Sequence, residues 1–224
     1  MRRLFLRVYS KWLRGAVTLG PPEPKVALTF DDGPDDRWTP EILGILAEHG
    51  ARATFFMLGA QIERHPALAG RVADEGHELA VHLYSHDRAA ADDDDRFRDE
   101  LERTEALVRA AAGAPPRFIR FPFAYLGRQR PRRILSERGL ETAHWSISSM
   151  DSRYDPPRIQ RRLERALIPG AIALLHDGVG PNSRYVKSRR STVEALPGVL
   201  RCCREKALAP VILSDLLGPP RETA

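Results

Sequence analysis

The chain has 224 residues and a formal net charge of +5, enough length for one domain with its own core and no need of covalent staples. Ordinary glycine and proline contents, 16 and 18 residues, exclude collagen-like and proline-rich linker classes. No apolar run approaches the ~20 residues of a membrane span. The adjacent Cys202 and Cys203 cannot build a disulfide framework and fit a reducing compartment. The positive charge is carried almost wholly by arginine, the lysines being Lys11, Lys25, Lys187 and Lys206. Such a bias favours planar or phosphate-bearing anions as partners, or follows simply from genome base composition.

Residues 1–20 form a basic segment. Leu4, Val8, Trp12 and Leu13 fall near one face of a helix, with Arg3, Arg7, Lys11 and Arg14 largely opposite. The charges interrupt the apolar stretch of a cleaved secretory signal. The expectation is therefore a cytoplasmic protein, with an N-terminal helix that suits contact with the inner membrane face and equally suits docking on the domain or a frayed end. Pro21, Pro22 and Pro24 end that helix. Residues 25–217 are expected to be the catalytic domain and 218–224 a tail.

After Lys25, short apolar runs predict strands at Val26–Phe30, Ala53–Leu58, Glu78–His82, Phe118–Phe121, Thr142–Ile147, Ile172–Leu175 and Val211–Leu213. Between them, helical patterning covers Thr39–His49, Ala67–Glu75, Asp94–Ala112, Arg130–Glu137, Pro157–Leu167 and Arg190–Lys206. Thr39 is the expected cap ahead of Pro40, and Gly50 and Gly139 the expected stops. In Asp94–Ala112 the apolar stripe is read as Phe97, Leu101, Ala106 and Leu107. The βα alternation predicts a parallel sheet with helices outside, either an incomplete barrel or a doubly wound sheet. Both architectures gather ligands at the carboxyl ends of strands.

Those ends carry the titratable residues. Asp32, His82 and His86 make a two-histidine, one-carboxylate set suited to a divalent ion. The four-residue step between the histidines lets both rings face one point if the chain turns helically after the strand. Asp31, beside Asp32, is then free to act as general base. His176 can protonate a leaving nitrogen, with a carboxylate such as Asp74 as one candidate partner. Arg120 can pair with Asp31, and Asp151 can brace that arginine. Taken singly, each feature also fits a turn, a core histidine or a surface ion pair.

The segments Thr29-Phe30-Asp31-Asp32-Gly33-Pro34, His82-Leu83-Tyr84-Ser85-His86, Arg120-Phe121-Pro122-Phe123 and Leu174-Leu175-His176, in this order, resemble the motifs of the polysaccharide deacetylases, carbohydrate esterase family 4. The resemblance runs from about Val26 to Leu217. It implies a distorted (β/α)7 barrel, a divalent metal, most often Zn2+, and hydrolytic removal of acetyl from an amino-sugar-containing carbohydrate. It makes Asp31 the base, His176 the acid, Asp32, His82 and His86 the ligands, and Arg120 the residue that orients Asp31. Phe121, Pro122, Phe123 and Leu174 are expected to line the substrate, with a backbone N–H near Phe123 for the oxyanion. The chain departs from the family pattern at Leu83, where Ser or Thr is usual, at Ala124 in place of Gly, and at Ser148 and Ser152 in place of the Asp and Trp flanking Asp151.

Arginines after two strands (Arg128, Arg130, Arg132, Arg133, and Arg184, Lys187, Arg189, Arg190) extend the expectation to an anionic, phosphate- or lipid-linked sugar. Two other readings stay open: a non-catalytic carbohydrate-binding protein on the same barrel, and a metal amidohydrolase for a non-sugar amide. No nucleic-acid recognition motif accompanies the positive charge.

Overall fold

The computed structural model describes residues 16–125, 131–181 and 188–219. Its strands are β1 (Lys25–Asp31), β2 (Thr54–Met57), β3 (Glu78–Val81), β4 (Phe118–Ile119), β5 (Glu141–Thr142), β6 (Ile147–Ser148), β7 (Ile172–His176) and β8 (Ala209–Val211). The helices are α1 (Trp38–Glu48), α2 (Gly59–Arg64), α3 (Pro66–Asp74), α4 (Asp94–Ala112), α5 (Pro131–Glu137), α6 (Pro156–Ala166), α7 (Arg190–Glu205) and α8 (Leu213–Leu217). The strand order is β5-β4-β3-β2-β1-β7-β6, with β8 also on β1, and the recorded pairings are parallel.

That order forces the sheet to curl. β5 and β6 lie at opposite ends of the path, yet only residues 143–146 join them. Five Cα steps span no more than about 17 Å of extended chain, far less than the width of a flat seven-strand path at ~4.8 Å per strand. The result is the distorted barrel that the resemblance implied. The gap between its two ends is stitched by residues 17–20. Val17 N–H donates to the Thr142 carbonyl and His144 N–H to the Val17 carbonyl, both at 2.8 Å, and Gly20 N–H reaches the Gly170 carbonyl at 2.8 Å. The predicted strand Thr142–Ile147 is thus two short strands, because the chain leaves one sheet edge and enters the other across this gap.

Strand alternation sorts the core into two faces. Leu28, Phe30, Phe55, Met57, Val81, Ala173 and Leu175 pack outward under the helices. Ala27, Phe56, Ala80, Phe118, Ala143 and Ile172 fill the interior. Counting in twos along the inner face gives 27-29-31, 80-82, 118-120 and 172-174-176. The inner face therefore ends in Asp31, His82, Arg120 and His176, and Asp31 is the direct register partner of His176.

The helices follow local chemistry, with corrections. α4 covers Asp94–Ala112 as predicted: the Asp93 carboxylate accepts from the Asp95 and Arg96 N–H groups, and Gly113 closes the helix at φ 70. Its buried stripe is Phe97, Glu100, Leu101, Thr104 and Val108; Ala106 faces outward. α1 begins at Trp38, whose N–H donates to Asp35 Oδ1 at 3.1 Å, and Thr39 does not cap it. The Thr39 hydroxyl is drawn away to donate to Asp177 Oδ2 at 2.7 Å, so tertiary contact overrides its capping preference. α2 was not foreseen, being six residues long and too short to show periodicity. The predicted strand Val211–Leu213 shifts to Ala209–Val211 and runs into α8. No helix among the described residues is long and apolar enough to cross a membrane. Of the predicted N-terminal helix over residues 1–20, residues 1–15 lie outside the described residues, and Val17 and Leu19 form β-bridges to Ala143 and Ala171 in place of helix; residues 220–224 of the tail also lie outside them.

Candidate active site

Asp32, His82 and His86 converge: one ligand atom from each lies within 4.8 Å of the others. Asp32 Oδ1 stands 3.4 Å from His82 Nε2 and 3.2 Å from His86 Nε2. His82 Nδ1 is bonded to the Arg120 carbonyl at 2.7 Å. A carbonyl only accepts, so Nδ1 carries the proton and Nε2 offers its lone pair to the site. Asp32 Oδ1 is buried with no hydrogen bond among the described residues. A buried carboxylate oxygen facing two imidazole nitrogens is the arrangement a divalent cation completes. Burial acts to raise the Asp32 pKa, but the His82 and His86 contacts and the His176 charge outweigh it and hold the group well below its ordinary value.

The histidines do not converge by a helical turn. Their loop instead places Leu83 at φ 61 and His86 at φ 58. Positive φ recurs at Asp32, Phe123, Ala124 and Met150, in the loops after β1, β4 and β6. Each costs an L-residue roughly 1–3 kcal/mol, so the loops at this end of the barrel hold strained backbone that the packed strands sustain. Leu83, at the usual Ser or Thr position, is wholly buried and braces nothing through a polar group. That role falls to Glu100 of α4. Its carboxylate accepts from Ser85 Oγ at 2.6 Å, Ser85 N–H at 3.2 Å and Tyr84 N–H at 3.3 Å. Sequence reading passed over Glu100, although a carboxylate three residues after Phe97 on a buried stripe was a visible signal.

On one side of the triad, Arg120 Nη1 donates to Asp31 Oδ1 at 2.7 Å. Arg120 is fully buried. Its remaining donors reach Thr29 Oγ1 at 2.8 Å and the Ala143 and His144 carbonyls, each at 3.0 Å. The guanidinium lies 3.9 Å from the Phe56 ring centroid. These contacts compensate a buried charge that would otherwise be costly. Asp151 was expected to brace this arginine and does not; main-chain carbonyls at the barrel seam do so. His144, whose carbonyl serves here, is kept neutral: burial first, then the Arg120 charge, pushes its pKa down to about 3.

On the other side, Asp151 holds His176. The carboxylate meets His176 Nδ1 at 2.8 Å and accepts the His176 backbone N–H at 2.8 Å, with Thr192 Oγ1 donating to it at 2.8 Å. Burial lowers the imidazole's pKa, but the Asp151 charge and hydrogen bond overcome it and lift the value to about 9. Burial likewise opposes ionisation of Asp151, yet the His176 charge and bond bring it to about 2. Asp74, the other candidate partner, is exposed at the end of α3. Asp177, next in sequence, is pushed up to about 7 by burial, with the Asp32 charge adding to it.

Arg189 was expected to face an anionic ligand. It is buried instead, with Nη2 3.2 Å from Asp32 Oδ2 and Nε donating to the Gly178 carbonyl at 2.5 Å. It thereby ties up the Asp32 oxygen that does not face the histidines. Arg190 pairs with Glu194 and Arg133 with Glu137; Arg128, Arg130, Arg184 and Lys187 lie outside the described residues. Of the expected substrate-lining residues, Phe121 is stacked on Phe97 at 5.7 Å and belongs to the core. Pro122 and Leu174 are also buried. Phe123 is 61% exposed, its ring 4.6 Å from that of His86, and offers an apolar platform at the mouth.

The family profile described as polysaccharide deacetylase matches residues 19–143. A chitooligosaccharide deacetylase from Sinorhizobium fredii is 35% identical over 202 residues, 87% of this chain and 93% of that protein. Among solved structures, a peptidoglycan N-acetylglucosamine deacetylase has a TM-score of 0.83 at 30% identity, covering 92% of this chain and 95% of that one. A family 4 pseudoenzyme from Bacillus anthracis has a TM-score of 0.80 at 26% identity, covering 91% and 69%. A barrel of this shape is thus compatible with catalysis and with its loss, and the side chains at the strand ends must decide.

Proposed function

Because the chain belongs to the polysaccharide deacetylase family, we propose that it hydrolyses the N-acetyl amide of an amino sugar within a carbohydrate chain. The observation that carries this reading is the pair of braced proton carriers flanking the triad. Asp31 is fixed by Arg120 at 2.7 Å and His176 by Asp151 at 2.8 Å. A non-catalytic sugar binder has no use for two such carriers.

Asp32, His82 and His86 would hold the ion, and the mixed nitrogen and oxygen donor set favours Zn2+. When bound, it supplies Lewis acidity towards the amide carbonyl and acidifies a water. Asp31 would accept a proton from the attacking water at Oδ2, since Oδ1 is engaged by Arg120. His176 enters protonated, its Nδ1 bonded to Asp151, and gives the Nε2 proton to the departing amine. The raised pKa of about 9 keeps it a competent acid at neutral pH. Arg189 keeps Asp32 Oδ2 occupied so that Oδ1 alone faces the histidines. The exposed Phe123 ring receives an apolar sugar face. The proposal extends to a substrate carrying phosphate, as on a lipid- or nucleotide-linked sugar, which the arginine excess favours.

The test is a substrate panel. Zn2+-loaded protein is incubated with N-acetylglucosamine oligomers, N-acetylated polyamines and acetylated short peptides, and freed amine and acetate are measured. One acetate per amine from the oligomers alone is expected. No release from any sugar by fully loaded protein refutes the reading, and release only from polyamines or peptides replaces it with a non-sugar amidohydrolase.

A further inference from the structure

A cleft of about 430 Å³ lies beside α6, lined by Arg158, Arg161, Arg162 and Arg165 together with Tyr154 and Ile147. The steps 158, 161/162 and 165 keep the four arginines on one face of the helix, and Tyr154 flanks them from the loop before it. The opposite face, with Ile159 and Leu163, is buried in the core. Among the described residues, no acidic side chain lines the cleft. Other exposed arginines pair with carboxylates, as in Arg138–Glu105, Arg103–Glu63 and Arg190–Glu194, and those that do not, such as Arg109 and Arg201, are not gathered in one cleft. Arg158, Arg161 and Arg162 make no ion pair among the described residues. Glu164, on the same helix, is turned away and accepts from Gln160 Nε2 at 2.6 Å.

Four guanidinium groups in one concavity repel one another, and for Arg158, Arg161 and Arg162 no carboxylate among the described residues offsets that repulsion. One is also fixed in place: Arg162 Nε donates to the Ser148 carbonyl at 2.7 Å, leaving its terminal nitrogens for a ligand. Planar forks beside a tyrosine suit a tetrahedral, multiply charged oxyanion that accepts bidentate bonds. The position is pertinent as well. Ser148 ends β6, and the loop that follows carries Asp151, the partner of His176, with Tyr154 three residues further on.

We propose that this α6 cleft binds a phosphate group esterified to the saccharide, holding it while the sugar lies across His176. The identity of the carrier rests on the deacetylase reading; the oxyanion site itself does not. The phosphate-reading residues are then those of α6, in place of the arginines after β4 and β7.

The experiment titrates inorganic phosphate, N-acetylglucosamine 1-phosphate and N-acetylglucosamine, at constant ionic strength, into three proteins. These are the wild type, Arg158→Gln/Arg161→Gln, and a control of equal charge loss on α4 and α7, Arg109→Gln/Arg201→Gln. Turnover of a neutral N-acetyl oligosaccharide is measured in parallel. Phosphate held at Asp32, His82 and His86 contributes equally to all three, so the difference between them reports the cleft. The α6 variant should bind both phosphate compounds at least tenfold more weakly than the wild type and the control, with neutral turnover unchanged. Equal binding by all three proteins overturns the cleft proposal. So does arginine-dependent binding to phosphatidylglycerol vesicles with none to the soluble phosphates. An α6-dependent phosphate site in a protein that deacetylates no sugar upholds the cleft and refutes the deacetylase reading instead.

Discussion

Replacing Asp151 by Asn removes a charge while keeping the size of the side chain and an oxygen for the His176 and Thr192 donors. The structure sets the consequence. His176 sits at about 9 because the Asp151 charge and bond outweigh burial. Without that charge, burial and Arg189 act against only the weaker Asp32 charge, and the imidazole falls towards its ordinary value of ~6.5. A general acid works in its protonated form. At pH 8 the wild type is about 90% protonated and the variant about 3%, roughly a thirtyfold difference; at pH 5.5 the two nearly coincide. The assay is the kcat/KM profile on an N-acetyl oligosaccharide from pH 5 to 10. Its alkaline limb should move from near 9 towards 6.5. A variant that loses the same factor at every pH, with the limb unmoved, refutes the acid role of His176. Stability should follow in the same variant. The depressed Asp151 pKa stabilises above its unfolded value of ~3.9 and is lost as pH falls through about 2. The raised His176 pKa stabilises fully below ~6.5 and is lost as pH rises through about 9. The pair therefore contributes most between about pH 4 and 6.5, and Asp151→Asn should flatten both limbs of the melting-temperature profile.

His82→Ala should purify with a substantially lower metal content by elemental analysis, and a content equal to wild type removes His82 from the ligand set. Asp31→Asn should keep its metal and lose turnover by roughly 10²–10⁴-fold, with wild-type rates on a confirmed substrate eliminating it as the base. Glu100→Ala leaves every proposed ligand in place but frees the Tyr84–Ser85 backbone. A 10–100-fold weaker metal affinity is expected by competition with a chelator, and unchanged affinity would mean the histidine loop needs no brace from α4.

The residue sequence was sufficient for the layered βα order, because strands buried on both faces read as short apolar runs and helices as wider periodic stripes. It was sufficient also for the residues at the strand ends, since Asp31, His82, Arg120 and His176 close runs of inner-face positions. Partnerships were another matter. Asp151 belongs to His176 and Arg120 to the Ala143 and His144 carbonyls, contacts set by which strands pair, β6 with β7 and β4 with β5. The bending of the histidine loop through positive φ at Leu83 has no sequence signature, as leucine disfavours that conformation. Arg189 shows the limit most plainly. An arginine in a polar stretch reads as surface charge, and only the pairing of β7 with β1, which carries the start of α7 against Asp32, turns it into a buried restraint. Local composition governs which element forms, whereas which side chains meet depends on contacts between positions as far apart in the chain as Asp32 and Arg189.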